Sequence, residues 1–527
     1  MPANTVMNGP LFALLFAAYP VLFIATSNPG QAAWSTVGAA LAVSVVASAL
    51  LLATMRMAFN SWNRAALGVA AIAFLFYAYG PAHTSLEGLF LDSMNETAGL
   101  ALYLQQASPY LHFIMTAFWI VARFLALRDV ARMPEAWIPL AVRACNAAAL
   151  VLVGLMTVQW VADRGATAAS TADLRHASTT ERAVSVLGYN PDIYLIVLDG
   201  YAREDVLRQH YKFDNSAFLD GLRGRGFQVS GASTANYNWT FLSLASFLNM
   251  DYLQPLLGDR ISPAVRSRAV VYDAVRNNAV ARFLKERGYR IVHVQTTWGA
   301  TLRNPYADEQ VACHQGVFTN EFFRVLAEAS WLKALQPRMS ADIARCHLSN
   351  LESLANMGRQ PGPKFVFAHF LPPHHPYLFD RNGNILRDAN LSNQFEFQKR
   401  LWEEKAPYVD QLVFMNQRIT DAVDRILAAS LRPPIIIIQS DHGPNFDSDI
   451  TRDEHIRVRL ANLAAYLLPQ APEHLMPVDG SAVNQFRYIL NRYFNERMDI
   501  LPRRQYFSEY DRPYAFTDVT LSPDRAE

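Results

Sequence analysis

The sequence predicts an N-terminal five-helix transmembrane bundle followed by a water-soluble α/β domain with a mostly parallel sheet. Three features point there. The first is charge: the 527 residues carry 47 Lys+Arg and 46 Asp+Glu, yet residues 1–165 hold only seven Arg, no Lys and six acids. That is 8% charged against 22% in the remainder, which excludes a uniform soluble protein and an intrinsically disordered one. The second is a series of long apolar runs, and the third a later change to short β-branched runs separated by helical ones. A net charge of +1 argues against nucleic acid as a partner, because phosphate backbones select basic faces.

A helix needs roughly 20 apolar residues to cross a bilayer core, where unpaired backbone groups cannot be left in hydrocarbon. Five runs qualify or nearly do: 11–26, 33–55, 65–79, 110–127 and 137–162. The third is short, and the fifth carries Arg143, which has to snorkel toward the headgroups. A secretory signal could explain the first run alone, but no basic region leads it and four more runs follow. Arg56 and Arg64 lie between the second and third runs, and Arg128 and Arg132 between the fourth and fifth, with Arg123 ending the fourth. The positive-inside rule puts those loops in the cytoplasm and everything after about Asp163 outside it. The expected organisation is a transmembrane domain at 1–163, a small and polar linker at 164–189, and an extracytoplasmic domain at 190–527. Cys313 and Cys346 lie in the last part, where an oxidising compartment permits them to join; two buried thiols are the alternative.

In the soluble part, 192–198 (DIYLIVL), 290–295 (RIVHVQ), 364–370 (KFVFAHF) and 434–439 (PIIIIQ) read as strands, and 273–287 and 407–428 as helices. Near-continuous apolar strands alternating with helices indicate a parallel sheet covered on both faces. Ligands of such sheets bind beyond the carboxyl ends of the strands. The first strand runs into Asp199-Gly200, and the last into Ser440-Asp441-His442-Gly443. Asp199, Asp441 and His442 are therefore candidate ligands of one divalent cation, and mixed carboxylate and imidazole suits Zn²⁺ or Mn²⁺ better than Ca²⁺ or Mg²⁺. The plainer reading makes Asp199 a turn residue and Asp441 a helix cap.

Between these strands, Phe241, Leu244, Ala245 and Leu248 follow helical spacing, so Thr240 falls at a helix N-terminus. Free amides and the helix dipole there favour an anion such as phosphate. A threonine alkoxide is a poor species at neutral pH, and coordination to a metal makes it accessible, so Thr240 is both candidate nucleophile and candidate metal ligand. The plain alternative is an N-cap threonine.

LDGY at 198–201, a Thr opening a helix with SLAS at 243–246, HFLPPHHPY at 369–377 and SDHG at 440–443, in that order, resemble the alkaline phosphatase and sulfatase superfamily. With five spans in front, the chain looks more narrowly like lipoteichoic acid synthases and lipid A phosphoethanolamine transferases. The resemblance implies an alkaline-phosphatase-like fold, Asp199, Thr240, Asp441 and His442 on the metal, and Thr240 as the covalent phosphoacceptor. It also implies His374 and His375 near the leaving group or substrate phosphate, with His455 and Arg457 as further substrate contacts. One departure matters: residues 236–249 lack the C/S-x-P-x-R motif from which true sulfatases make formylglycine. No secure second set of ligands is recognisable, so one metal is expected.

The expected activity is that of a multi-pass inner-membrane phosphotransferase with a periplasmic catalytic domain. It would move a phosphoglycerol- or phosphoethanolamine-type group from a phospholipid donor to an envelope glycan or lipid acceptor. The alternatives are a hydrolase of phosphate or sulfate esters on the same scaffold and a membrane protein that has kept the fold and lost the chemistry. A transporter is disfavoured, since the five runs show neither paired halves nor broken helices.

Overall fold

The structure is a computed structural model that describes residues 7–28, 31–96, 98–171, 189–313, 316–386, 389, 391, 395–472, 475–477 and 480–520. Most of the expected linker at 164–189 falls outside the described residues. The chain divides into two compact units, the first containing Met1–Thr167 together with Glu321–Pro337.

The first unit is built on α1 (Leu11–Ser27), α2 (Trp34–Phe59), α3 (Trp62–Glu96), α4 (Ala98–Arg132) and α5 (Ile138–Thr171). Each of the five apolar runs lies within one of them or overlaps its start. Among the described residues, three stretches are long and apolar enough to cross a membrane: Trp34–Phe59, Trp62–Leu86 and Glu135–Val161. The helix at Leu11–Ser27 has only 17 residues and falls short of that length, so three of the five expected spans meet it among the described residues. Polar groups inside this unit satisfy backbone atoms that helix ends leave unpaired. Asn146 accepts from Phe12 N at 3.0 Å and donates to Gly9 O at 2.9 Å, fixing the start of α1 against α5. Arg64 donates to Val130 O and Met133 O, both at 2.8 Å, closing the carboxyl end of α4.

The second unit holds a seven-stranded sheet. Its strands are β1 (Ile193–Leu198), β2 (Gln228–Val229), β3 (Arg290–Val294), β4 (Glu309–Val311), β5 (Lys364–Phe370), β6 (Ile435–Gln439) and β7 (Ala464–Leu467). Their order is β2-β7-β6-β1-β5-β3-β4. The five strands from β6 to β4 run parallel, while β7 and β2 form an antiparallel edge that the sequence did not announce. Every residue of β1 is 0% exposed, as expected of a strand covered on both faces. Register aligns Leu198 with Phe370 and Val197 with Gln439, so Asp199 and Ser440 leave the sheet at the same end. The helix expected at 273–287 is two helices, Ala269–Arg276 and Ala279–Glu286. The break follows from Asn278, whose side chain accepts from Ala281 N at 2.8 Å and caps the second piece.

The α6 helix (Thr240–Asn249) lays Phe241, Leu244, Phe247 and Leu248 onto Ile193, Leu195, Val197 and Ile435 in one core cluster. Burying each such side chain stabilises by about 1.5–3 kcal/mol, which fixes the head of α6 over the strand ends. A hairpin of β8 (Tyr506–Glu509) and β9 (Arg512–Asp518) closes the unit, and Cys313 is bonded to Cys346.

Candidate active site

β1 delivers Asp199, whose backbone N–H donates to Phe370 O at 2.9 Å. Gly200 then turns the chain with φ +65°, and its N–H donates to Asp441 Oδ1 at 3.0 Å. A Cβ at Gly200 would stand 2.6 Å from the Trp402 ring, so glycine is required both by conformation and by the close approach. From β6, Ser440 Oγ accepts from Tyr201 N at 2.8 Å and donates to His442 O at 2.6 Å, locking the two strand ends together. His442 Nδ1 donates to Gly443 O at 2.9 Å. A carbonyl can only accept, so the lone pair of His442 is on Nε2, which faces the site.

Thr240 is the first residue of α6, with Trp239 in the N-cap position and extended. Its hydroxyl does not cap the helix. Oγ1 lies 2.9 Å from His442 Nε2 and 3.4 Å from Asp199 Oδ2. Asp199, Asp441 and His442 are buried while Thr240 is partly exposed, so the threonine is the open side of the cluster. One ligand atom from each of Asp199, Asp441 and His442 lies within 4.8 Å of the others, and the three could hold a metal ion. Ligand atoms about 2.1 Å from a tetrahedral cation are about 3.4 Å apart, so modest tightening suffices.

Electrostatics give the same answer. Burial pushes the Asp199 carboxyl above its ordinary value. Asp441 is pushed up to about 7, by burial first and by the Asp199 charge second. Burial holds His442 well below its ordinary value, so it is neutral and its 3.1 Å approach to Asp441 Oδ2 is not an ion pair. Asp199 Oδ1 and Asp441 Oδ2 are sheltered and accept no hydrogen bond. Two buried carboxylates with unfilled acceptors and a neutral imidazole fit a divalent cation, whose charge reverses the cost of ionising them.

Two groups here escaped the sequence reading. His369, on β5, sets Nδ1 3.0 Å from Thr301 Oγ1 and Nε2 3.4 Å from Asp199 Oδ2. It belongs to a third apolar strand ending at the same edge, and that rule could have found it. Arg459 is buried and donates to Asn238 O at 2.7 Å, Gly443 O at 2.8 Å and His442 Nε2 at 3.1 Å. Burial lowers its pKa to about 10, which leaves it cationic beside the two acids. The C-terminal hairpin also reaches the site: Ser508 O accepts from Asn238 Nδ2 at 2.9 Å and from Trp239 Nε1 at 2.8 Å.

The remaining candidates separate. His374 donates its backbone N–H to Asp199 O at 3.1 Å, and the rings of His374 and His375 lie 4.7 and 5.3 Å from that of Trp402. His375 is buried and His374 half-buried, both have pKa values lowered chiefly by desolvation, and His375 Nε2 has no hydrogen-bond partner. His455 Nε2 meets Asn445 Oδ1 at 3.0 Å. Arg457 is committed to Asp205 and Glu454, both at 2.7 Å, and is not brought to the cluster by any of these contacts.

No protein-family model matches the chain, and no curated protein matches its sequence. Among solved structures it is similar to the C-terminal periplasmic domain of EcEptC from Escherichia coli, at 13% identity over 66% of this chain and 98% of that one, with a TM-score of 0.42. It is also similar to the lipoteichoic acid synthase LtaP from Listeria monocytogenes, at 9% identity over 62% and 77%, TM-score 0.38. The soluble domain of lipooligosaccharide phosphoethanolamine transferase A from Neisseria meningitidis matches at 9% identity over 58% and 90%, TM-score 0.35.

Proposed function

We propose that the chain is a membrane-anchored, metal-dependent phosphotransferase that moves a phosphoglycerol- or phosphoethanolamine-type group from a phospholipid to an envelope glycan or lipid. The observation that carries this reading is the Thr240 hydroxyl, which heads α6 yet turns into the buried Asp199 and His442 cluster instead of capping the helix. Thr240 Oγ1 attacks phosphorus, the bond from phosphorus to the diacylglycerol oxygen breaks, and that oxygen leaves with a proton as the free alcohol. An acceptor hydroxyl then attacks the phosphothreonine, and Thr240 regains its proton as the ester bond to its oxygen breaks. Asp199 and His442 hold Oγ1 at the mouth of the site, and the first amides of α6 face the phosphoryl oxygens. When bound by Asp199, Thr240, Asp441 and His442, a Zn²⁺ or Mn²⁺ ion supplies Lewis acidity that lowers the hydroxyl pKa and offsets phosphoryl charge. His374, whose ring lies beside Gly200, returns the proton to the departing alcohol in this reading, with His375 next to it near the substrate phosphate.

The loop charges support five crossings with the catalytic unit on the outer, periplasmic face of the inner membrane. Anchoring there keeps a bilayer-confined donor at high effective concentration. The test uses the purified full chain in nanodiscs with a labelled phospholipid, read by mass spectrometry of the peptide bearing Thr240. A phosphodiester adduct is expected on the wild type and none on Thr240→Ala, whose turnover falls at least on the order of a thousandfold. Full turnover of that variant overturns the nucleophile assignment. Label reaching a glycan acceptor, and not water, separates transfer from hydrolysis.

A further inference from the structure

Glu321–Pro337 belongs to the helical unit although it is flanked by α/β sequence. Its helix α7 (Glu321–Glu328) packs Phe322, Val325 and Leu326 against Val21, Ile24, Val37 and Ala40 of α1 and α2. Gly80 of α3 admits the backbone that follows: a Cβ there would stand 2.0 Å from Glu328 O. The segment then brings the Trp331 ring under the Arg123 guanidinium of α4, 4.0 Å from its centroid.

That stack leaves hydrogen-bond donors over. Arg123 Nη1 and Nη2 and Trp331 Nε1 are all sheltered from water, and none has a partner. Ring stacking attracts the cation but does not use its in-plane N–H groups. A guanidinium among apolar helices with no acceptor is expensive, and sheltered donors are nearly always satisfied. Two forked N–H groups beside an indole N–H match the oxygens of a phosphodiester. On the same helix face, one turn before Arg123, Ile120 is an exposed apolar neighbour, suited to an acyl chain and not to a free ion.

We propose that Arg123 and Trp331 form a binding site for the phosphodiester of a phospholipid within the helical unit. The inference rests on the membrane placement argued above and not on the chemistry at Thr240. It is tested by native mass spectrometry of the full chain in detergent, titrated in turn with phosphatidylglycerol, with diacylglycerol of the same acyl chains, and with inorganic phosphate. Phosphatidylglycerol is expected to be retained, diacylglycerol and phosphate not. Arg123→Gln weakens retention on the order of tenfold, the worth of a charged hydrogen-bond pair, and Trp331→Phe, which keeps the ring and removes the N–H, on the order of threefold. Thr240→Ala retains lipid as the wild type does, which keeps failure of the catalytic reading apart from failure of this one. Undiminished retention by Arg123→Gln, diacylglycerol bound as well as phosphatidylglycerol, or saturation by phosphate alone each overturns the site. Should Arg123→Gln fail to give a folded peak on gel filtration, Trp331→Phe decides, and unchanged retention by it is equally fatal.

Discussion

In the helical unit large apolar side chains such as Phe74, Phe113 and Val158 stand outward, at 70% exposure or more, whereas in the α/β unit every residue of β1 is shut away. Similar residues thus face opposite surroundings, and the charges follow suit. Arg64 of the first unit spends its donors on backbone carbonyls of the same unit and is complete without help. The acids of the second unit face each other, with Asp199 raising the Asp441 pKa and both leaving an oxygen unmatched. At Arg64 and Asn146 the helical unit pairs its polar groups internally, whereas the two acids at the strand ends of the α/β unit keep a charge deficit that calls for something from outside the chain.

The largest expected effect on that contrast is at Arg459, a buried cation bonded into the cluster through His442. Arg459→Ala removes a buried donor facing His442 and Gly443, and turnover should drop on the order of a hundredfold while the helical unit is untouched. Steady-state kinetics with KM resolved from kcat reads this, and a near-normal kcat would mean the guanidinium only fills space.

Cation removal comes next and carries a definite pH sense. The Asp441 carboxyl titrates near 7 in the folded chain and near its ordinary value of about 3.9 when unfolded. In the cation-free protein its contribution to stability is therefore fully present below about pH 4 and lost as pH rises through about 7. Zinc reverses that loss, so the melting gap between loaded and chelated protein should widen by at least a few degrees from about pH 5 to about pH 8. A gap that narrows over this range contradicts the assignment of Asp441 to the cation.

Gly200→Ala forces a Cβ into the Trp402 ring at a positive φ and should cost about 2 kcal/mol in chemical denaturation. Stability equal to wild type would show that the turn relaxes freely. The smallest effect is expected at Arg457, two residues from Arg459: Arg457→Ala breaks a half-exposed network and should leave turnover within about twofold. A large loss there would restore Arg457 as a substrate contact.

What the residues announced and what they hid divides along physical lines. Asp199, Asp441 and His442 were legible because long buried strands end where ligands bind, and Thr240 because the apolar stripe of α6 has an unmistakable period. Arg457 and Arg459 look alike in a charged helix, and only packing shows that one turns to Asp205 and the other to His442. The β2 and β4 strands are two and three residues long, too short for periodicity to register. The path of Glu321–Pro337 was hidden because α7 is amphipathic like any surface helix, and nothing local says that its apolar face meets α1 and α2.

The clamp between Ser508 and the pair Asn238 and Trp239 has a consequence for biogenesis. The backbone just ahead of Thr240 is held by Ser508, about 270 positions downstream. The Thr240 hydroxyl is therefore set in place only after Ser508 has been made and docked, and the cluster stays incomplete on a nascent chain that stops short of it.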